Sequence, residues 1–172
     1  MVLRFAPDNR WGLFPAAALA VKIVEEGSGS LSSLKLRMGY GVTGQQDIGS
    51  DFYPYLARYQ GSFDNAQYQF GDQFITTLRP NGYDANIKWE ETTTYNVGVD
   101  FGFLDSRITG SIDVYQRETR DLLNFIPVPA GTNLTNAITT NVGDLKNRGI
   151  EITLNTTPIK TDKMSWEIGG TR

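Results

Sequence analysis

The sequence predicts an all-β protein, an antiparallel meander of about six strands joined by connections of two very different lengths. Three observations carry this expectation. From Thr93 to Phe103, Tyr95, Val97, Val99, Phe101 and Phe103 alternate with Asn96, Gly98, Asp100 and Gly102. Successive side chains of a strand point to opposite faces, so this is a strand period with no helical competitor. Four residues, Leu104 to Arg107, then turn the chain into a second alternating run. It carries Ile108, Gly110, Ile112 and Val114 on one face and Thr109, Ser111, Asp113 and Tyr115 on the other, which makes a hairpin with matched faces. The third observation is that short turns and long connections sort themselves along the chain.

In chain order, the first strand lies within Trp11 to Val24. Its alanines suit a helix, but Pro15 in the middle and Phe14, Val21 and Ile23 around it favour a strand. A medium polar connection, Glu25 to Ser33, follows, with Gly27-Ser28-Gly29-Ser30 as a turn. The second strand alternates Leu34, Leu36, Met38, Tyr40 and Val42 with Lys35, Arg37, Gly39 and Gly41. A long connection, Thr43 to Glu90, leads to the hairpin; Gln67 to Phe70 within it reads as a strand fragment. A second long connection, roughly Arg117 to Arg148, leads to the fifth strand, where Ile150, Ile152 and Leu154 alternate with Glu151, Thr153 and Asn155. A break at Thr157 to Asp162 separates it from a sixth strand beginning at Ser165-Trp166.

Composition narrows the function. The 172 residues suffice for one ordinary domain. A net charge of −3, from 16 basic and 19 acidic residues, excludes a strongly basic nucleic-acid footprint. Without Cys or His, thiolate nucleophiles, disulfides, Cys/His zinc sites and imidazole catalysis are excluded. No cofactor is implied. Leu122 to Gly143 is uncharged, but Pro127, Pro129 and several Asn make it a loop and not a membrane helix.

Two architectures share this pattern. A soluble β-sandwich, serving as a carbohydrate-binding module, would cover its apolar rows with a second sheet and solvate Lys35, Arg37, Asp100, Asp113 and Glu151. An outer-membrane barrel would turn the apolar rows to lipid and those charges to a wet lumen. Short turns on one side and long loops on the other favour the barrel. So do aromatics near strand ends, Trp89, Tyr95, Phe103, Tyr115 and Trp166, as interface residues.

Several stretches resemble one family. Leu34-Lys35-Leu36-Arg37-Met38-Gly39-Tyr40-Gly41-Val42-Thr43-Gly44 with Gln45-Gln46-Asp47-Ile48-Gly49 is similar to the LKLRxSYGxTGNQxIG stretch of SusC/RagA-type TonB-dependent outer-membrane transporters. Trp89-Glu90 through Asn96, Gly98, Asp100 and Leu104 resembles WExTxxxNxGxDxGxL. Asp113-Val114-Tyr115 with Thr119, Asp121-Leu122-Leu123 and Pro127-Val128-Pro129 resembles DxYxxxTxDLLxxxPxP. Asn141 to Glu151 resembles NxGxxxNxGxE. Arg10-Trp11-Gly12-Leu13-Phe14-Pro15 matches the start of RWGxFPxxSxAW, whose last position, usually Trp, is Val21 here.

The matches run in order over nearly the whole chain. They imply the C-terminal part of a 22-stranded type of barrel that holds a plug in its lumen. The chain is then expected to be a fragment without the plug, the remaining strands and the segment that engages TonB; Met1 is expected to be an artificial or miscalled start, and the strand cut at Arg172 points the same way. The resemblance further implies energised import of glycans or peptides across the outer membrane of Bacteroidetes. TonB, outer-membrane lipid and a SusD-like lipoprotein lid would be its partners.

Little suggests an enzyme. Glu90 and Glu91 are adjacent and so face opposite ways in a strand. Asp100 and Asp113 face each other across the hairpin, where a lumen-lining role outweighs a glycosidase pair. The first long connection is rich in aromatics, of which Phe52, Tyr53, Tyr55, Tyr59, Tyr68 and Phe70 are the candidate ligand or lid contacts. Rings stack on sugar faces; packing of the loop on itself, on neighbouring loops or on the lid is the more ordinary use. Asn133-Leu134-Thr135 and Asn155-Thr156-Thr157 match the N-glycosylation pattern by chance.

Overall fold

The computed structural model describes residues 4–25, 30–49 and 52–172. The expected turn at Gly27 to Gly29 and the start at Met1 lie outside the described residues. The strands in chain order are β1 Ala16–Val24, β2 Leu31–Gln45, β3 Tyr59–Gly61, β4 Gln67–Phe70, β5 Gln73–Thr76, β6 Leu78–Pro80, β7 Glu90–Phe103, β8 Ile108–Arg120, β9 Leu123–Pro127, β10 Ala137–Asn141, β11 Leu145–Thr161 and β12 Met164–Thr171. A 3-10 turn at Pro7–Asn9 is the only helical piece among the described residues.

The chain divides into two compact units, one made of Phe14–Thr43, Thr92–Thr119 and Leu145–Arg172, the other of Met1–Leu13, Gly44–Glu91 and Arg120–Asp144. The first is a single six-stranded sheet in the order β1-β2-β7-β8-β11-β12, the meander the sequence predicts. The β1/β2, β8/β11 and β11/β12 pairs are antiparallel, with Leu19 opposite Met38 and Ile112 opposite Ile152. The outer strands β1 and β12 each have one neighbour in it.

The strands are longer than alternation alone indicated. β1 starts only after Pro15, whose carbonyl accepts from Val42 N at 2.9 Å. The expected break at Thr157 to Asp162 is absent, because β11 runs on to Thr161. Its register steps from Thr156↔Ile168 to Ile159↔Trp166, one extra residue on β11. Pro158 falls in that bulge, where its missing N–H costs no ladder bond. The turn into β12 shrinks to Asp162-Lys163, closed by Met164 N donating to Thr161 Oγ1 at 3.1 Å. Between β7 and β8, the turn Leu104 to Arg107 forms as expected, with Leu104, Asp105 and Ser106 all at positive φ.

Register sorts the two faces. Ile150 opposes Val114 and Ile152 opposes Ile112, while Glu151 opposes Asp113 and Thr153 opposes Ser111. Directly opposed residues share a face, so the apolar and polar sets stay separate. Exposure is inverted relative to a water-soluble sheet. Ile150 is 64% and Trp166 55% exposed on the apolar side, whereas Gly98 and Gly102 are buried on the polar side. Among the described residues of this unit no second layer covers the apolar rows, which disfavours the sandwich reading.

The second unit is built from the two long connections together with the N-terminal segment. In the first, β3 pairs with β6 and β4 with β5. Gln67 to Phe70 is thus a strand, as expected. The second, read as an irregular loop, contains the β9/β10 ribbon, with Ile126 opposite Ile138 and Phe125 opposite Thr139. Five-residue strands flanked by Pro and Asn carry too little alternation to announce themselves. The unit's small core holds Phe5, Pro54 and Ile87. The Phe5 and Trp89 ring centroids are 5.3 Å apart, and Trp89 Nε1 donates to Arg10 O at 3.3 Å.

Candidate functional site

On the polar face of the sheet, alternation places Arg37 of β2, Asp100 of β7 and Asp113 of β8 on one side of three adjacent strands. The Arg37 guanidinium grips Asp100 through two nitrogens: Nε donates to Oδ2 at 2.9 Å and to Oδ1 at 3.0 Å, and Nη2 donates to Oδ1 at 2.8 Å. Nη2 also reaches Asp113 Oδ1 at 2.9 Å. Lys35 Nζ stands 4.0 Å from Asp100 Oδ2. The planar fork of Arg suits such bidentate bonding. Asp100 and Asp113 do face a common site, but one cation ties both down. The arrangement is a cross-strand brace.

The six aromatic candidates fall in three places of the loop unit. Phe52, Tyr53 and Tyr55 lie before β3, Tyr59 starts β3, and Tyr68 and Phe70 sit two apart on β4. All but the half-buried Tyr55 are exposed. Ring contacts join Tyr53 to Tyr55 at 6.3 Å and Tyr68 to Phe70 at 6.4 Å. Register puts Ile75 opposite Tyr68, while Phe74 falls opposite Gln69 on the other face of that hairpin. Nearby, the Arg79 guanidinium lies 4.2 Å from the centroid of Phe63.

Two of the five expected interface aromatics serve elsewhere. Trp89 packs in the loop unit against Phe5. Tyr115 opposes Gly149 and so shares the polar face with Asp113 and Glu151. Tyr95, Phe103 and Trp166 are exposed on the apolar side, and Tyr40 joins Tyr95 at 5.2 Å. Position near a strand end was a weaker guide than parity.

The amide network of the loop unit escaped sequence reading. Asn133 Nδ2 donates to Tyr83 O at 2.8 Å and Asn133 Oδ1 accepts from Tyr83 N at 3.3 Å. Asn141 Oδ1 accepts from Lys88 N at 2.8 Å, and Asn141 Nδ2 donates to Lys88 O at 3.0 Å and to Asp121 O at 2.7 Å. The glycosylation-like Asn133 therefore has a structural use. Its one sequence signal was a motif that points elsewhere.

An exposed apolar face, a braced polar face and long connections between strands suit a membrane barrel, and residues 4–171 match the family described as TonB dependent receptor-like, beta-barrel. The chain belongs to that family. It is an outer-membrane β-barrel protein; in such a barrel an apolar row faces lipid and a polar face such as that of the Arg37 brace faces the lumen. It is 51% identical over 169 residues to the TonB-dependent receptor SusC of Bacteroides thetaiotaomicron, covering 96% of this chain and 17% of that protein. It is 35% identical to the TonB-dependent receptor P39 of Formosa agariphila, covering 95% of this chain and 15% of that protein. Among solved structures, the RagAB peptide transporter superposes with a TM-score of 0.75 at 26% identity, covering 92% of this chain and 17% of that one. The chain thus spans about a sixth of the length of these relatives.

Proposed function

We propose that this chain supplies six wall strands and two extracellular loops to a TonB-dependent importer of glycans or peptides, working with a SusD-like lipoprotein. The plug and the remaining strands of that importer are assigned to sequence outside these 172 residues. The similarity to SusC over 96% of the chain carries this reading, and the superposition on the RagAB peptide transporter supports it. Tight turns on one side and long connections on the other fit periplasmic and extracellular sides. Exposed Phe52, Tyr53, Tyr59, Tyr68 and Phe70, with the half-buried Tyr55, are the proposed ligand or lid contacts. Aromatic rings supply large contact area to either.

Deletion of the gene in its host, followed by growth on single glycans and on peptides, tests the reading. Loss of growth on a defined set, restored by the intact gene and abolished without TonB, is expected. Affinity purification from detergent extracts should recover an outer-membrane lipoprotein. Unchanged growth on every substrate together with no co-purifying lipoprotein would overturn it.

A further inference from the structure

Residues 82–88 of the first long connection and residues 133–141 of the second lie side by side, but no strand pairing joins them among the described residues. Side chains make the join. A primary amide presents one donor edge and one acceptor edge, as a peptide group does. Asn133 faces the N–H and C=O of Tyr83 with both, and Asn141 does the same to Lys88. Each closes the two-bond ring that an antiparallel neighbour would close. Between them, Thr140 Oγ1 donates to Asp84 Oδ2 at 2.5 Å. At the end of the seam the two segments touch: a Cβ on Gly82 would sit 2.2 Å from Thr135 Oγ1 and 3.1 Å from Ala137 O.

Asn141 is also tied within its own connection. Its second amide hydrogen reaches Asp121 O, and Asp121, at φ 55°, donates from its N–H to Asp144 Oδ1 at 3.2 Å. The base of the second connection and the seam to the first therefore share one side chain.

We propose that Asn133 and Asn141 are positioning residues that couple the two long connections into one preassembled body, so that ligand or lid meets a single surface. The coupling rests on this geometry alone; its consequence for uptake rests on the importer reading. If the loops move in transport, they move together.

Hydrogen exchange on the complete barrel in detergent tests the coupling. In Asn133→Ala the Tyr83 amide, and in Asn141→Ala the Lys88 amide, should exchange several-fold to about tenfold faster, the effect of losing a hydrogen-bond partner. The double variant should free both, leaving β7, β8 and β11 protected. Leu134→Ala, an exposed change in the same connection, should move neither amide. Unchanged exchange at Tyr83 and Lys88 in the double variant would overturn the coupling, as would equal effects from Leu134→Ala. For uptake, the double variant should raise the half-saturating substrate concentration several-fold while the maximal rate per folded barrel holds. Lost coupling with an unchanged half-saturating concentration would overturn the positioning role. No uptake by the unsubstituted barrel would sink the importer reading and leave exchange to decide the coupling.

Discussion

Gly98 lies beneath the carboxylate of Asp113, so that a Cβ on residue 98 would sit 2.2 Å from Asp113 Oδ1 and 2.8 Å from Arg37 Nη2. The small residue in an otherwise bulky alternating strand is thus the seat of the brace across β2, β7 and β8. In water such a pair would contribute little, and Arg37 and Asp100 are each about one-third exposed, at 32% and 37%. Asp113, at 16%, is the more enclosed partner and the one Gly98 admits.

Gly98→Ala should therefore push the Asp113 carboxylate away from Arg37 and destabilise the barrel by about 1 kcal/mol or less, the loss of one hydrogen-bonded contact, because the ends of both side chains can turn aside. Arg37→Met should cost up to about 1 kcal/mol, because Asp113 loses its cation and Asp100 keeps only Lys35, 4.0 Å away. Urea titration of the complete barrel in lipid vesicles, followed by tryptophan fluorescence, checks both. The discriminating variant is the double change Asp113→Ala with Gly98→Ala. If the clash is with the carboxylate, it should be no less stable than Asp113→Ala alone.

Side-chain parity makes a sharper claim. Ile152 and Thr153 are neighbours in β11, yet register assigns Ile152 to the lipid face beside Ile112 and Thr153 to the lumen face beside Ser111. A Lys on the lipid face costs about 2–4 kcal/mol near the bilayer midplane, while a lumen position tolerates it. Ile152→Lys should markedly reduce folding yield into vesicles, and Thr153→Lys should leave it near the unsubstituted level. Equal losses at both positions would mean that the register is wrong, since a one-residue slip exchanges the faces.

The tight turn carries removable strain. Leu104, Asp105 and Ser106 have φ of 53°, 51° and 61°, a left-handed region that suits Gly and is poorest for a bulky side chain. Leu104 N donates to Ser30 O at 3.1 Å and Arg107 N donates to Leu104 O at 3.1 Å, bonds that hold the turn in place and need no side chain. Leu104→Gly removes about 1–2 kcal/mol of strain. It gives back about 0.5–1 kcal/mol through the freer unfolded chain. A net stabilisation of about 0.5–1 kcal/mol is expected, read as a higher urea midpoint at unchanged slope. A lower midpoint would show that the exposed Leu104 side chain contributes contacts worth more than the strain.

The order of the six sheet strands and the faces of Tyr95 to Phe103, Ile112, Val114, Ile150 and Ile152 were legible because a period of two is local information. Pro158 misled for the same reason: locally it ends a strand, and only the facing residues Trp166 and Ile168 show that the extra residue is absorbed as a bulge. Arg37, Asp100 and Asp113 could be placed on one face but not in one brace, since their contact depends on register across three strands. Asn133 and Asn141 were illegible altogether, because each bonds main chain about 50 residues away and a backbone partner leaves no residue type to recognise.

The sheet's edges and faces decide how the chain behaves by itself. Among the described residues β1 and β12 are the edge strands of the sheet, and an edge presents N–H and C=O groups that recruit other strands. One face carries Leu19, Val21, Met38, Val97, Ile112, Val114, Ile150 and Ile152, all exposed. A contiguous apolar row of this kind is one that soluble monomers seldom expose. Curling six strands into their own barrel would demand a different tilt and shear from those of a larger wall. The isolated chain, expressed without detergent, should therefore pellet or elute as aggregate, with no cooperative melt; detergent should disperse it without restoring one. Size-exclusion chromatography and a thermal scan read the outcome. A sharp monomeric peak with a cooperative transition in plain buffer would mean that the apolar face has found cover, and would contradict the assignment of that face to lipid.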